Sequence, residues 1–251
     1  MQHRTRTGYS LGILVASAIL TLMLAMPAEL TQAATATPAV YAPTARPFGK
    51  TYADWSAAWA QWFFRVPLHR DANDYSKGIL NPNFERTGAT CTVEQSGPVF
   101  FLANLHPETD DAVRRCTVPA GKALLLPLAT GICSNLPGDK RSVADLKDEC
   151  RRSLDVVTEA QVEIDGVAVP NVMTFRTQSR PFSYRIPKDD CCFLGALGMK
   201  PGTYWPAVID GFFVMIQPLP AGQHTIHYRE HSPLVGPPIE ATYILAVAAG
   251  K

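Results

Sequence analysis

Apolar residues in this chain follow two periods. In two stretches they recur at steps of three and four, the signature of one helical face. Between and after those stretches they alternate or run on for four to eight residues, as strands do. The first helical stretch covers 52–65. Tyr52, Trp55, Trp59 and Trp62 share one face, Thr51 and Asp54 form a capping box, and Pro67 stops the helix. The reverse side holds Ala53, Ala57, Ala58 and Ala60, so the helix is apolar all round and belongs inside a fold. The second covers 143–158. Ser142 and Asp145 cap it, and Val143, Leu146, Cys150, Leu154 and Val157 give its inner face.

The remaining pattern predicts β-structure. Val99–Leu105, Ala112–Val118, Ala123–Leu128, Phe182–Ile186, Phe212–Ile216, His224–Arg229 and Ala241–Ala248 read as strands. Val162–Ile164 and Val167–Val169 flank Asp165-Gly166, a strong hairpin signal. Phe212–Ile216 is apolar at every position, as in a strand covered on both faces. Asp210-Gly211 reads as another turn, and Pro206 makes the strand before it an edge at best. Short strands at regular spacing without βαβ alternation predict an all-β, antiparallel sandwich, immunoglobulin-like or jelly-roll-like. It carries an N-terminal Trp-rich helix and one inserted helix.

The start of the chain belongs to a different class. Arg4 and Arg6 precede an apolar run from Leu11 to Met26, and small residues follow. That order is an export signal, with Thr31-Gln32-Ala33 or Ala34-Thr35-Ala36 as the cleavage site. The run has 16 residues, against the roughly 20 that span a bilayer. The expected organisation is a signal peptide at 1–33, a disordered Ala/Thr/Pro leader at 34–48, and one domain at 49–251.

Charge narrows the partners. Cleavage after Ala33 leaves 218 residues with equal numbers of acidic and basic side chains. A neutral chain has no electrostatic footprint for nucleic acid or for an anionic membrane surface. All six cysteines lie beyond the signal, where disulfides are permitted, and none sits in a Cys-x-x-Cys knuckle. Cys133 lies in the loop leading to the second helix and Cys150 on its inner face, which predicts that pair. Cys91 with Cys116 is the second expected bond, with Cys191 or Cys192 as competing partners for Cys91. The adjacent pair Cys191-Cys192 allows a vicinal disulfide, two thiols, or pairing with another chain.

Three segments carry a resemblance. They are Tyr52-Ala53-Asp54-Trp55-Ser56-Ala57-Ala58-Trp59-Ala60-Gln61-Trp62, Gln95-Ser96-Gly97-Pro98-Val99-Phe100-Phe101-Leu102-Ala103 and Cys116-Thr117-Val118-Pro119-Ala120-Gly121-Lys122. Together with Asn81-Pro82, Asp210-Gly211 and the Gly222–His227 stretch, they resemble a group of secreted bacterial proteins without assigned activity. The resemblance implies export and one domain; it implies no catalytic residue.

Candidate chemistry is sparse. His224, His227, Glu230 and His231 offer imidazoles and a carboxylate to a metal. A strand there puts His224 and His227 on opposite faces, which leaves His227 and His231 as the metal alternative. Trp55, Trp59 and Trp62 are either a stacking platform for sugar rings or core anchors, and the helix pattern favours the core. Ser96 is not in a Gly-x-Ser-x-Gly elbow. Glu94 and Gln95 follow Cys91 in an irregular segment, where a pinned loop could present binding groups. The sequence thus predicts an exported, secreted or periplasmic, non-enzymatic module. It would bind a ligand, a polymer or an envelope protein and use no cofactor. A hydrolase-like enzyme and a metal-binding protein are the alternatives.

Overall fold

A computed structural model describes residues 39–68, 80–104, 112–188, 200–233 and 236–250. The signal segment and Cys191-Cys192 lie outside them.

Both capping boxes form. Helix α1, Tyr52–Arg65, starts with Thr51 Oγ1 accepting from Asp54 N–H at 3.1 Å, while Thr51 N–H donates back to Asp54 Oδ2 at 2.9 Å. The hydroxyl and amide donated to that carboxylate hold its pKa below the usual range. Helix α2, Val143–Leu154, repeats the arrangement with Ser142 and Asp145. It ends at Leu154 and not at 158. Asp155 is its C-cap, and Thr158 N–H already donates to His231 O. Val157 is buried outside the helix.

Among the described residues, ten strands make two five-stranded sheets. The first contains β1 (Val99–Phe101), β3 (Ala123–Ser134), β6 (Arg176–Gln178), β7 (Phe182–Ile186) and β8 (Gly202–Ile216). The second runs β2 (Ala112–Val118), β10 (Ile239–Val247), β9 (Gly222–His231), β4 (Glu159–Ile164) and β5 (Val167–Ala168). The sheets are mixed and not purely antiparallel, because β1 runs parallel to β3 and β2 parallel to β10. The Pro119–Lys122 turn separates two consecutive strands that pair in different sheets. Their new neighbours then come from distant parts of the chain, and alternation in the sequence does not encode the direction of such pairs.

Strand β8 is the longest and the centre of the first sheet. Along one side it pairs with β3. Along the other, three short segments tile it: β7 opposite 202–207, β6 opposite 210–212, and residues 39–41 opposite 215–217. The end of the leader therefore joins the first sheet over 39–41. Tyr52 explains why. Its hydroxyl donates to Tyr41 O at 2.7 Å and accepts from Met215 N–H at 3.2 Å. Burial pushes this phenol up to about 12, so it keeps its proton for that bridge. Pro206 does not force β8 to an edge. Trp205 and Pro206 fall where the pairing with β7 shifts register, so no ladder bond is asked of the missing N–H.

One hydrophobic cluster joins residues of both sheets and the α1 tryptophans. A second and smaller one lies under α2, made of Cys133, Leu146, Cys150 and Val208. Both helices pack on strands of the first sheet.

Candidate functional site

The segment from Cys91 to Pro98 is the best candidate, because several separate ties hold it. Cys91 is bonded to Cys116 on β2, with Cα atoms 6.0 Å apart. It does so from a turn and not from a strand. Trp62 Nε1–H, from α1, donates to Val93 O at 3.0 Å. Gln95 spends both ends of its amide: Nε2 donates to Cys91 O (3.0 Å) and Phe101 O (2.7 Å), and Oε1 accepts from Phe101 N–H (2.9 Å). The carboxamide thus meets the open edge of β1 as a neighbouring strand's peptide would. Lys122 Nζ donates to Gly97 O.

Glu94 stands at the apex of this loop with a left-handed backbone, φ 55°. An acidic residue held there is uncommon and points to an over-determined loop. Its carboxylate faces solvent beside Arg65, whose Nε lies 3.1 Å from Oε2 and whose Nη2 donates to the Glu94 carbonyl at 3.2 Å. Both side chains remain about half exposed (46% and 47%). The pair is a fixed zwitterionic tip on a rigid base, and as a surface ion pair it adds little stability of its own.

The sequence candidates separate under this geometry. Glu94 is presented to solvent. Gln95 is not, since its amide is consumed in lacing the loop. Trp55, Trp59 and Trp62 are 5%, 2% and 0% exposed and lie in the core. Their indole N–H groups go to Pro47 O, Leu102 O and Val93 O. Flat faces are not offered to a sugar; the three indoles are core anchors, the alternative that the helix pattern favours. Cys133 is bonded to Cys150, Cα atoms 5.7 Å apart, which ties α2 to β3.

The histidines disperse. His224 Nδ1 meets Asp165 Oδ2 at 2.7 Å, and Nε2 meets Pro220 O at 2.9 Å. Burial works against the imidazolium, but these two acceptors outweigh it and leave the pKa raised. His227 lies 3.7 Å from Glu240 Oε2, and His231 contacts Thr158 Oγ1. Among the described residues no three His, Cys, Asp or Glu side chains converge as a metal site, so the His227–His231 alternative gains no third ligand.

Two acids are buried where sequence reasoning expected a turn residue and a metal-ligand candidate. Asp210 was expected in a turn. It sits mid-strand in β8, 2% exposed, and accepts from Arg176 Nε (3.0 Å) and Gln178 Nε2 (3.1 Å). Arg176 also reaches Asp155 Oδ1 (2.8 Å) and the Arg151 carbonyl at the end of α2. This network locks α2 onto the sheet. Glu230 faces inward on β9, with Oε2 unpartnered. Burial pushes its carboxyl up to about 7. The strand alternation placing 226, 228 and 230 on one face was the available signal for Glu230. No sequence signal marked the partner of Asp210, because Arg176 is 34 residues away.

Among the described residues no helix is long and apolar enough to cross a membrane. No protein-family model matches the chain, and no curated protein sequence matches it. Solved structures that share a limited likeness with this chain include these two. One is the cysteine protease inhibitor EhICP2 from Entamoeba histolytica, 12% identical with a TM-score of 0.22. The other is PbICP-C, solved in complex with falcipain-2, 12% identical with a TM-score of 0.24. Each match covers 61% of this chain and 100% of the other. A likeness at that level establishes neither fold nor function for this chain.

Proposed function

We propose that this chain is an exported, non-enzymatic binding module, a β-sandwich that presents the Cys91–Pro98 loop to a ligand, a polymer or an envelope protein in the periplasm or outside the cell. The resemblance to secreted bacterial proteins belongs to the same proposal. The observation that carries it is the loop itself. A disulfide, an indole and a lysine from separate elements, together with the loop's own Gln95 carboxamide, hold a tip whose Glu94 and Arg65 remain open to solvent. A loop ordered before binding loses less entropy on complex formation, which is the use of such rigidity in recognition. The two disulfides fit an oxidising compartment.

The test is site-specific photo-crosslinking in cells that export the protein. A crosslinking residue at position 94 is compared with one at the exposed Asn171, on a different segment. A discrete adduct at 94 and none at 171, lost when Arg65→Glu reverses the neighbouring charge, supports the reading. No adduct at 94, or equal adducts at both positions, overturns it.

A further inference from the structure

Among the described residues, no helix covers the outer face of the second sheet. On β2, β4, β9 and β10, residues alternate between buried and exposed, and both helices lie on the first sheet. Apolar side chains occupy part of the open face. Val113 is 50% exposed, and Ile244, on the adjacent strand β10, is half-buried. Near its centre Arg229 is already paired with Glu159 and Glu240. At its flanks stand two charges with no ion-pair partner among the described residues: Arg115 on β2 and Glu163 on β4.

These two cannot meet within one chain. Strands β10 and β9 lie between them, a lateral separation of roughly 14 Å at the usual strand spacing. Their registers also differ, since Glu163 is level with His227 and Thr242 while Arg115 is level with Ile244 and Thr225. We propose that this face is closed by a second copy of the chain. A two-fold axis lying between the sheets and along the strands sets the β2 flank of one copy over the β4 flank of the other. Arg115 of each copy then lies across the gap from Glu163 of the other, offset by two residues or about 7 Å along the strands, and the contact occurs twice by symmetry. Sheets packed face to face lie about 10 Å apart and cross at about 30°. A guanidinium and a carboxylate on long side chains span that gap.

The area limits the affinity. Four strands by about seven residues give on the order of 450 Å² of projected face per copy. That is below the roughly 800 Å² per partner of a standard interface, so the dimer forms and dissociates with concentration.

Sedimentation velocity of the mature protein over a dilution series tests this. The wild type shifts from dimer to monomer on dilution, and added salt favours the monomer. Arg115→Glu and Glu163→Arg, both at solvent-facing positions, each weaken the dimer by about tenfold or more without altering the melting curve. The double reversal, Arg115→Glu with Glu163→Arg, restores it to within about threefold. A monomer at every concentration overturns the inference, and so does a double variant no better than the singles. Glu94 is paired with Arg65 of α1, which packs on the first sheet, so Glu94→Arg is expected to leave the dimer unchanged and keeps this test separate from that of the loop.

Discussion

Asp165-Gly166 and Asp210-Gly211 are the same dipeptide in opposite settings. The first turns a hairpin: both residues are left-handed, with φ 52° and 76°, as a two-residue loop with the right twist requires. Its carboxylate is half exposed and bonds His224 and the Thr225 N–H. The second pair never turns. It lies inside β8, with Gly131 on one side and Gln178 on the other. The flanking sequence makes the difference. Around Asp165 the apolar residues alternate, as in strands with one wet face. Around Asp210, Ala207–Ile209 and Phe212–Ile216 are continuous, and a strand covered on both faces runs on through the dipeptide. Turn chemistry is therefore read only together with the runs that it separates.

The widest separation of the two sites comes from removing their acids. Asp210→Ala leaves the Arg176 guanidinium and the Gln178 amide without their buried acceptor. It should destabilise the fold by about 3–5 kcal/mol, the range for breaking one side of a buried pair. The lower half of that range is expected, because Arg176 keeps Asp155. Asp165→Ala removes hydrogen bonds at the surface and should cost about 1 kcal/mol. Urea unfolding of the two variants checks both values. Equal losses would mean that Asp210 is no more committed to the fold than a turn residue.

The same contrast explains which features were legible. Local rules worked where one segment decides the outcome. Thr51 with Asp54, Ser142 with Asp145, and Asp165-Gly166 each form the cap or turn that their neighbours dictate. The Cys133–Cys150 bond forms as the inner face of the second helix implies, although Cys133 lies near the end of β3 and not in the loop beside the helix. Local rules failed where the partner is distant. The parallel pairing of β1 with β3 and of β2 with β10, and the ordering of 39–41 by Tyr52 and β8, depend on which strands become neighbours. In the candidate loop, Glu94 was visible as an exposed acid after a cysteine. The role of Gln95 was not, because its partner is the backbone of a strand edge.

Glu230 sharpens the comparison by offering a buried acid without the partner that Asp210 has. Its folded pKa of about 7 lies above the ordinary 4.5, so the folded state holds the proton more tightly than the unfolded chain. The stabilisation is complete below about pH 4.5 and is lost as pH rises through about 7. The span corresponds to about 3 kcal/mol. Glu230→Gln, which imitates the protonated form, should flatten that part of the stability profile and leave the variant more stable than the wild type at pH 8. Chemical denaturation across pH 4–8 measures it. A wild-type profile already flat over this window would show that Glu230 finds a partner in solution.

The glycines give the smallest effects and the finest distinction. A methyl group on Gly211 would lie 2.7 Å from the Ala129 carbonyl oxygen and 3.0 Å from the Thr130 Cα, both backbone atoms of β3 at its register shift. Gly211→Ala must push two central strands apart, and about 2–3 kcal/mol is expected from such overpacking. A methyl on Gly166 meets nothing within 4 Å, so Gly166→Ala costs only the left-handed backbone, about 1 kcal/mol. Asparagine separates the two causes. It tolerates the left-handed region, so Gly166→Asn should recover part of the loss seen with alanine. Gly211→Asn is larger where space is the problem, and should fall below Gly211→Ala. Melting temperatures of the four variants decide it, and the opposite order at either site would assign the wrong physical role to that glycine.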